Sequence, residues 1–242
     1  MTGNSRKVSV SELSSVTVRF AGDSGDGIQL VGSQFANATA VAGNDVSTLP
    51  DYPAEIRAPA GTVAGVSGFQ VNYAAGDILT PGDAPNVLVA MNPAALAANV
   101  GDLEPGAIVI VNRDAFNDVD LRKAGYAGNP LEDGSLDRFE VIAVPISTLN
   151  LEAVADVPGL DHKQRARSQN FFALGLMFWA FDRPLDATLA YIDDKFGRRP
   201  PVAEANRRAL RAGYTFGNTY EAFQVRYKVR PAHRVPGTCR QI

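Results

Sequence analysis

The 242-residue chain is 45% hydrophobic, which is enough to bury a core in one large α/β domain or two small ones. Its net charge of −3 gives no overall basic field, which argues against wholesale nucleic-acid binding, and its single cysteine, Cys239, leaves neither a disulfide framework nor a cysteine-held metal or iron–sulfur site. The opening MTGNSRKVSVSELSS is polar, and no run approaches the roughly 20 apolar residues of a membrane span, so a cytoplasmic protein without membrane contact is expected.

In chain order, residues 1–15 read as a flexible tail, and Val16 to Ala21 alternates as a strand does. The loop RFAGDSGDGIQLVG then leads into a helix that places Ile28, Val31, Phe35, Ala38 and Ala42 on one face. Pro50 and Pro53 forbid a regular element across DYPAEIRAP, and Val63 to Ala75 is β-compatible, with Gly65 and Gly68 predicting a bulge or a close backbone contact. Two short apolar runs, Asn86 to Met91 and Ala107 to Val111, have the composition of strands buried on both faces of a parallel sheet. Between them, Pro93 opens a helix over PAALAAN, and another strand follows at Phe139 to Val144.

The rest reads as helical. Lys163 to Phe181 contains FFALGLMFWAF, apolar on every side and therefore a core helix. Asp186 is placed to cap the next helix, which Gly197 ends; Pro200-Pro201 starts a last one, with Gly213 as its stop. After Tyr214 the pattern dissolves into a locally basic stretch, with Arg226, Lys228, Arg230, Arg234 and Arg240 against the single acid Glu221. This predicts either a solvated linker or a segment that docks on a neighbour. The alternation of strands and helices predicts a Rossmann-like, doubly wound, mostly parallel α/β sheet with a helical C-terminal part.

The loop glycines Gly22, Gly25 and Gly27 stand as G-x-x-G-x-G, not the G-x-G-x-x-G of a dinucleotide site, and no G-K-[ST] follows. Asp45, the lone candidate ribose ligand, precedes its strand, while Asp23 and Asp26 put negative charge where a pyrophosphate would lie. Two readings stay open and are compatible. In one, the glycines only make a turn and Ser24 or Asp26 caps the helix. In the other, exposed N–H groups at the helix start bind an anion, with Arg57 of the proline-bounded Glu55-Ile-Arg57 segment as the cation. Glu55 and Arg57 also fit an ordinary surface ion pair.

GDSGDG (22–27), LPDYPAEIRAPAGTVAGVSGFQV (49–71), DILTPGDAPNVLVAMNPAAL (77–96) and the stretch from NFFALG to GYTFG (170–217), taken in order, resemble the gamma domain of the 2-oxoacid:ferredoxin oxidoreductases. The resemblance is to the form fused at the N-terminus of the 2-oxoglutarate:ferredoxin oxidoreductase alpha subunit. It implies a gamma domain over 16–217, followed over 218–242 by a linker and the start of a truncated thiamine pyrimidine domain at Pro236-Gly-Thr-Cys-Arg240. It further implies a cytoplasmic enzyme that converts a 2-oxoacid and coenzyme A (CoA) to acyl-CoA and CO2. Partners would be a beta subunit, the other alpha-subunit domains and ferredoxin. Thiamine diphosphate, Mg and iron–sulfur centres are expected in the rest of that complex, and this chain alone is expected to be inactive. Contacts to CoA are implied for Gly22, Asp23, Ser24, Gly25, Asp26, Gly27, Arg57 and Asn170; Asn170 also fits an ordinary polar residue on a helix.

Overall fold

The structure, a computed structural model, describes residues 9–25, 27–55, 58–219 and 225–233. Its centre is a six-stranded sheet in the order β3-β4-β2-β5-β6-β7, formed by β2 (Ser15–Asp23), β3 (Asp45–Asp51), β4 (Val66–Ala74), β5 (Val87–Ala90), β6 (Ile108–Asn112) and β7 (Glu140–Val144). β2, β5, β6 and β7 run parallel, and β4 is the one strand that opposes its neighbours on both sides. The sheet is therefore mostly parallel, as the buried apolar runs predict. Pro50 is accommodated in β3 because that strand lies at the sheet edge, where a missing N–H costs no internal ladder bond.

Alternate residues of each central strand feed two separate cores. Val87, Val89 and Ile110 enter one with Phe20, Phe35 and Phe178; Leu88, Ala90, Val109 and Val111 enter the other with Leu96 and Leu121. The first core is covered by α1 (Ile28–Val41) and α6 (Gln169–Ala180), the second by α2 (Pro93–Asn99) and α3 (Asp118–Lys123). Coverage of both faces explains why β5 and β6 are apolar throughout. Further helices are α4 (Ile146–Ala153), α5 (His162–Ala166), α7 (Asp186–Phe196) and α8 (Pro200–Thr219).

Several local expectations are corrected. Residues 163–181 do not form one helix: the Ser168 hydroxyl shares its one proton between the Arg165 carbonyl at 2.7 Å and Asn150 Oδ1 at 2.9 Å, and the helix breaks there into α5 and α6. Asp186 occupies the first helical turn of α7 and is not its cap. β4 pairs without interruption from Val66 to Ala74, so it has no bulge; the alternative expectation, a close backbone contact, holds at Gly65, which ends a 3-10 turn just before β4 and where a Cβ would lie 3.2 Å from the Pro59 carbonyl oxygen. Gly213 does not stop α8, because it serves helix packing: a Cβ there would lie 1.9 Å from the Phe172 carbonyl oxygen.

The chain ends are also more structured than their composition predicts. β1 (Ser9–Leu13) pairs in parallel with β8 (Val225–Val229), two segments more than 200 residues apart. Tyr227 stacks on Phe181 with ring centroids 5.6 Å apart, and Val229 is buried. Arg226 is paired with Asp182 at 2.8 Å and Arg230 with Glu12, so these basic residues are held by this chain's own acids and are not simply solvated. The resemblance of Pro236 to Arg240 to a thiamine domain lies outside the described residues.

Candidate functional site

The site is assembled where β2 gives way to α1. Gly22, the last residue but one of β2, packs closely on Ile28 and Met91: a Cβ would lie 2.9 Å from Ile28 Cδ1, which would have to shift. Gly25 and Gly27 have φ of 92° and 90°, in the left-handed region that only glycine enters without strain, and a Cβ at Gly25 would meet nothing within 4 Å. The turn, not crowding, thus demands glycine at 25 and 27, and it leaves the backbone open to an approaching ligand.

Among the described residues no side chain caps α1. Its N-cap is Gly27, its first turn carries no acid, and Ser24 does not serve as the expected cap; its N–H instead donates to the Gly65 carbonyl. Asp26 and Arg57 lie outside the described residues. Asp23 is committed to structure. Both its carboxylate oxygens accept from the Gly61 N–H at 3.1 Å, and Oδ1 also accepts from Asn92 Nδ2 at 2.8 Å. The Asn92 side chain meanwhile caps α2 through the Ala95 N–H. This tie joins the ends of β2 and β5 at the reversal of strand order, the place where a Rossmann dinucleotide would lie.

The sequence points to Arg57 as the cation, and the structure brings a different set of cations to the loop. The segment Asp161-His-Lys-Gln-Arg-Ala-Arg167 closes a capping box, Asp161 with Gln164, and so starts α5 in a fixed direction. Lys163 and Arg167, four residues apart, then fall on one face. They line a cavity of about 360 Å³ together with Ser24, Gly25, Gln169 and Asn170. Asn170 is buried at the start of α6, and its neighbour Gln169 is fixed from the sheet: Asn112 Nδ2 donates to Ser147 Oγ, which donates to Gln169 Oε1 at 2.8 Å. A second cavity of about 210 Å³ shares Arg167 and Asn170 with the first and adds Gly27, Arg199, Asn206 and an apolar wall.

Of the residues singled out by sequence, Ser24, Gly25 and Asn170 line the first cavity, and Gly27 and Asn170 the second, so that Arg167 and Asn170 join the two into one groove region, whereas Gly22 and Asp23 line neither. Lys163, Arg167 and Arg199 form no ion pair among the described residues. The described lining holds no carboxylate, histidine or cysteine, so the groove offers donors and positive charge and no nucleophile or base among ionisable groups. What it can do is hold and orient an anion. A sequence signal did exist, the K-x-x-x-R spacing behind a D-x-x-Q start, but it lies about 140 residues from the glycines.

Fold and site define an α/β domain with a cation-lined groove beside a glycine loop. The family model described as pyruvate ferredoxin/flavodoxin oxidoreductase matches residues 17–216, and the chain belongs to this family. It is 54% identical over 230 residues to the 2-oxoglutarate oxidoreductase subunit KorA of Mycobacterium tuberculosis, an alignment that covers 95% of this chain and 35% of KorA. The chain thus spans about a third of the length of that relative. Among solved structures it resembles a 2-oxoglutarate:ferredoxin oxidoreductase from Magnetococcus marinus with 2-oxoglutarate, coenzyme A and succinyl-CoA bound. There the TM-score is 0.69 and the identity 23%, over 91% of this chain and 34% of that one. It also resembles a keto/oxoacid ferredoxin oxidoreductase gamma subunit from Geobacter sulfurreducens, with TM-score 0.56 and 20% identity over 84% of this chain and 98% of that one. Among the described residues, no helix is long and apolar enough to cross a membrane.

Proposed function

We propose that this chain is the gamma-type domain of a cytoplasmic 2-oxoglutarate:ferredoxin oxidoreductase and that its groove holds CoA for the acyl transfer that yields succinyl-CoA. The observation that carries the reading is the convergence of Lys163 and Arg167 with Ser24, Gly25 and Asn170 on one cavity. CoA is a polyanion, and its phosphates suit two cations that have no acidic partner among the described residues, set against a helix start that no described side chain caps. The loop residues Gly22 to Gly27 and Asn170 are its proposed contacts, and Arg57 remains a further candidate. The 54% identity to KorA supports 2-oxoglutarate as the substrate in preference to pyruvate or a branched-chain acid.

In this reading thiamine diphosphate, its metal and the iron–sulfur centre belong to the other domains and subunits, with ferredoxin reached through the complex. Among the described residues no three His, Cys, Asp or Glu side chains group so as to hold a metal. The role of this chain is to bind CoA and to meet the neighbouring domains, and the isolated chain is expected not to turn over. The test is steady-state viologen reduction by the assembled enzyme. Arg167→Ala should raise KM for CoA by roughly tenfold with KM for 2-oxoglutarate unchanged, the loss of one charged hydrogen bond. An unchanged KM for CoA would overturn the assignment, as would a preference for pyruvate for the substrate part of it.

A further inference from the structure

A chain of hydrogen bonds runs from the sheet to the groove, and each link fixes the sense of the next. Asn112, buried at the end of β6, accepts from the Ser147 backbone N–H through Oδ1 at 3.3 Å, and a backbone N–H can only donate. Its Nδ2 therefore faces acceptors, Ser147 Oγ at 2.9 Å and the Met91 carbonyl at 3.5 Å. With an N–H already directed at Ser147 Oγ, the single hydroxyl proton goes to Gln169, which accepts it on Oε1 at 2.8 Å. Gln169 lines the first cavity, and with Oε1 engaged its remaining polar group is Nε2, which donates to no described residue. A glutamine amide free to turn offers an anion its oxygen as readily as its nitrogen. This one is held in a single sense.

We propose that Gln169 Nε2 donates to an anionic oxygen of the ligand beside Lys163 and Arg167, and that Ser147 and Asn112 are positioning residues that set its sense; this deepens the CoA reading and rests on it for the identity of the ligand. Lys163 and Arg167 carry donors only, so a glutamine with its nitrogen toward the cavity extends a donor wall, whereas the opposite sense would set a carbonyl oxygen against the anion. Holding the amide in advance spares the ligand the cost of selecting it. An amide that populated both senses equally would lower the apparent affinity about twofold, and further rotamers would lower it more. The Ser147 hydroxyl is not needed to hold the start of α4, because the Ser147 and Thr148 backbone N–H groups are served by Asn112 Oδ1 and by Asp114 Oδ2 at 2.7 Å.

The experiment is calorimetric titration of the assembled enzyme with CoA and with inorganic pyrophosphate, using the parent, Gln169→Leu, Ser147→Ala, Ser147→Thr and the double variant Gln169→Leu with Ser147→Ala. Gln169→Leu should weaken CoA binding about tenfold or more, the loss of a hydrogen bond to a charged group. Ser147→Ala should weaken it about two- to fivefold, and Ser147→Thr, which keeps the hydroxyl, should bind as the parent does. The double variant should bind no worse than Gln169→Leu alone, because the hydroxyl acts only through Gln169. Parent-like CoA binding by Gln169→Leu or by Ser147→Ala would overturn the relay, as would a further loss in the double variant; in each of these cases CoA binding by the parent leaves the CoA reading standing. Pyrophosphate that binds the parent and is lost in Gln169→Leu, with no binding of CoA, keeps the relay and removes the CoA reading. If neither probe binds the parent, both fall. If Gln169→Leu does not assemble, Ser147→Ala against Ser147→Thr decides alone.

Discussion

Gly175 and Gly213 bring α6 and α8 into backbone contact: a Cβ on the first would lie 1.9 Å from the Leu210 carbonyl oxygen, and one on the second 1.9 Å from that of Phe172. This crossing sets the spacing between Asn170 on α6 and Asn206 on α8, and so the width of the groove. Gly213→Ala should therefore destabilise the fold by about 2 kcal/mol or more, because overlap with a carbonyl outweighs the roughly 1 kcal/mol that alanine gains in a helix. Gly101→Ala, with nothing within 4 Å and no positive φ, serves as the control and should stay within about 0.5 kcal/mol of the parent in urea denaturation.

The pairing of β1 with β8 makes the end segments part of the folded body. Tyr227→Ala removes the stack on Phe181 and should cost about 1–2 kcal/mol. In limited proteolysis the parent should resist cleavage within Val225–Val229, and the variant should be cut there. Early cleavage of the parent in this strand would show that β8 opens independently of the core.

Acid sensitivity should follow the ion pairs of α8. Arg208 foremost, and then Arg207, hold the Glu204 carboxyl below its ordinary pKa through hydrogen bonds. A lowered folded-state pKa means that its stabilisation is present above the unfolded pKa, roughly 4.3, and is lost as pH falls through the folded value. The site is partly exposed, so the contribution is at most about 1 kcal/mol. Glu204→Gln should lower the melting temperature slightly at pH 7, and the gap should close in the acid range; a gap independent of pH would contradict this account.

The parallel sheet was legible because β5 and β6 are apolar on both faces, and that signal is local. The glycine loop was legible as a β-to-α turn for the same reason. What sequence could not show depends on distant pairs. Tyr227 meets Phe181 46 residues away and β1 meets β8 across the whole chain, so composition suggested loose ends where strands form. Gly213 looked like a helix stop because a glycine's conformational freedom is visible in sequence and its close approach to Phe172 is not. Lys163 and Arg167 were overlooked because only folding carries α5 beside Gly25. Asp23 looked like a repulsive charge until Gly61 and Asn92 were seen to engage it.

Whether the cation-lined groove beside Gly25 holds CoA is read out by equilibrium titration of CoA into the assembled enzyme. The parent should bind one CoA per copy of this chain. Lys163→Ala combined with Arg167→Ala should weaken binding about 100-fold or more, the loss of two charged hydrogen bonds at roughly 1.5–3 kcal/mol each. Gly25→Val should also bind poorly, since valine resists the left-handed turn. Parent-like CoA affinity in the folded double variant would show that CoA does not lie on these two cations.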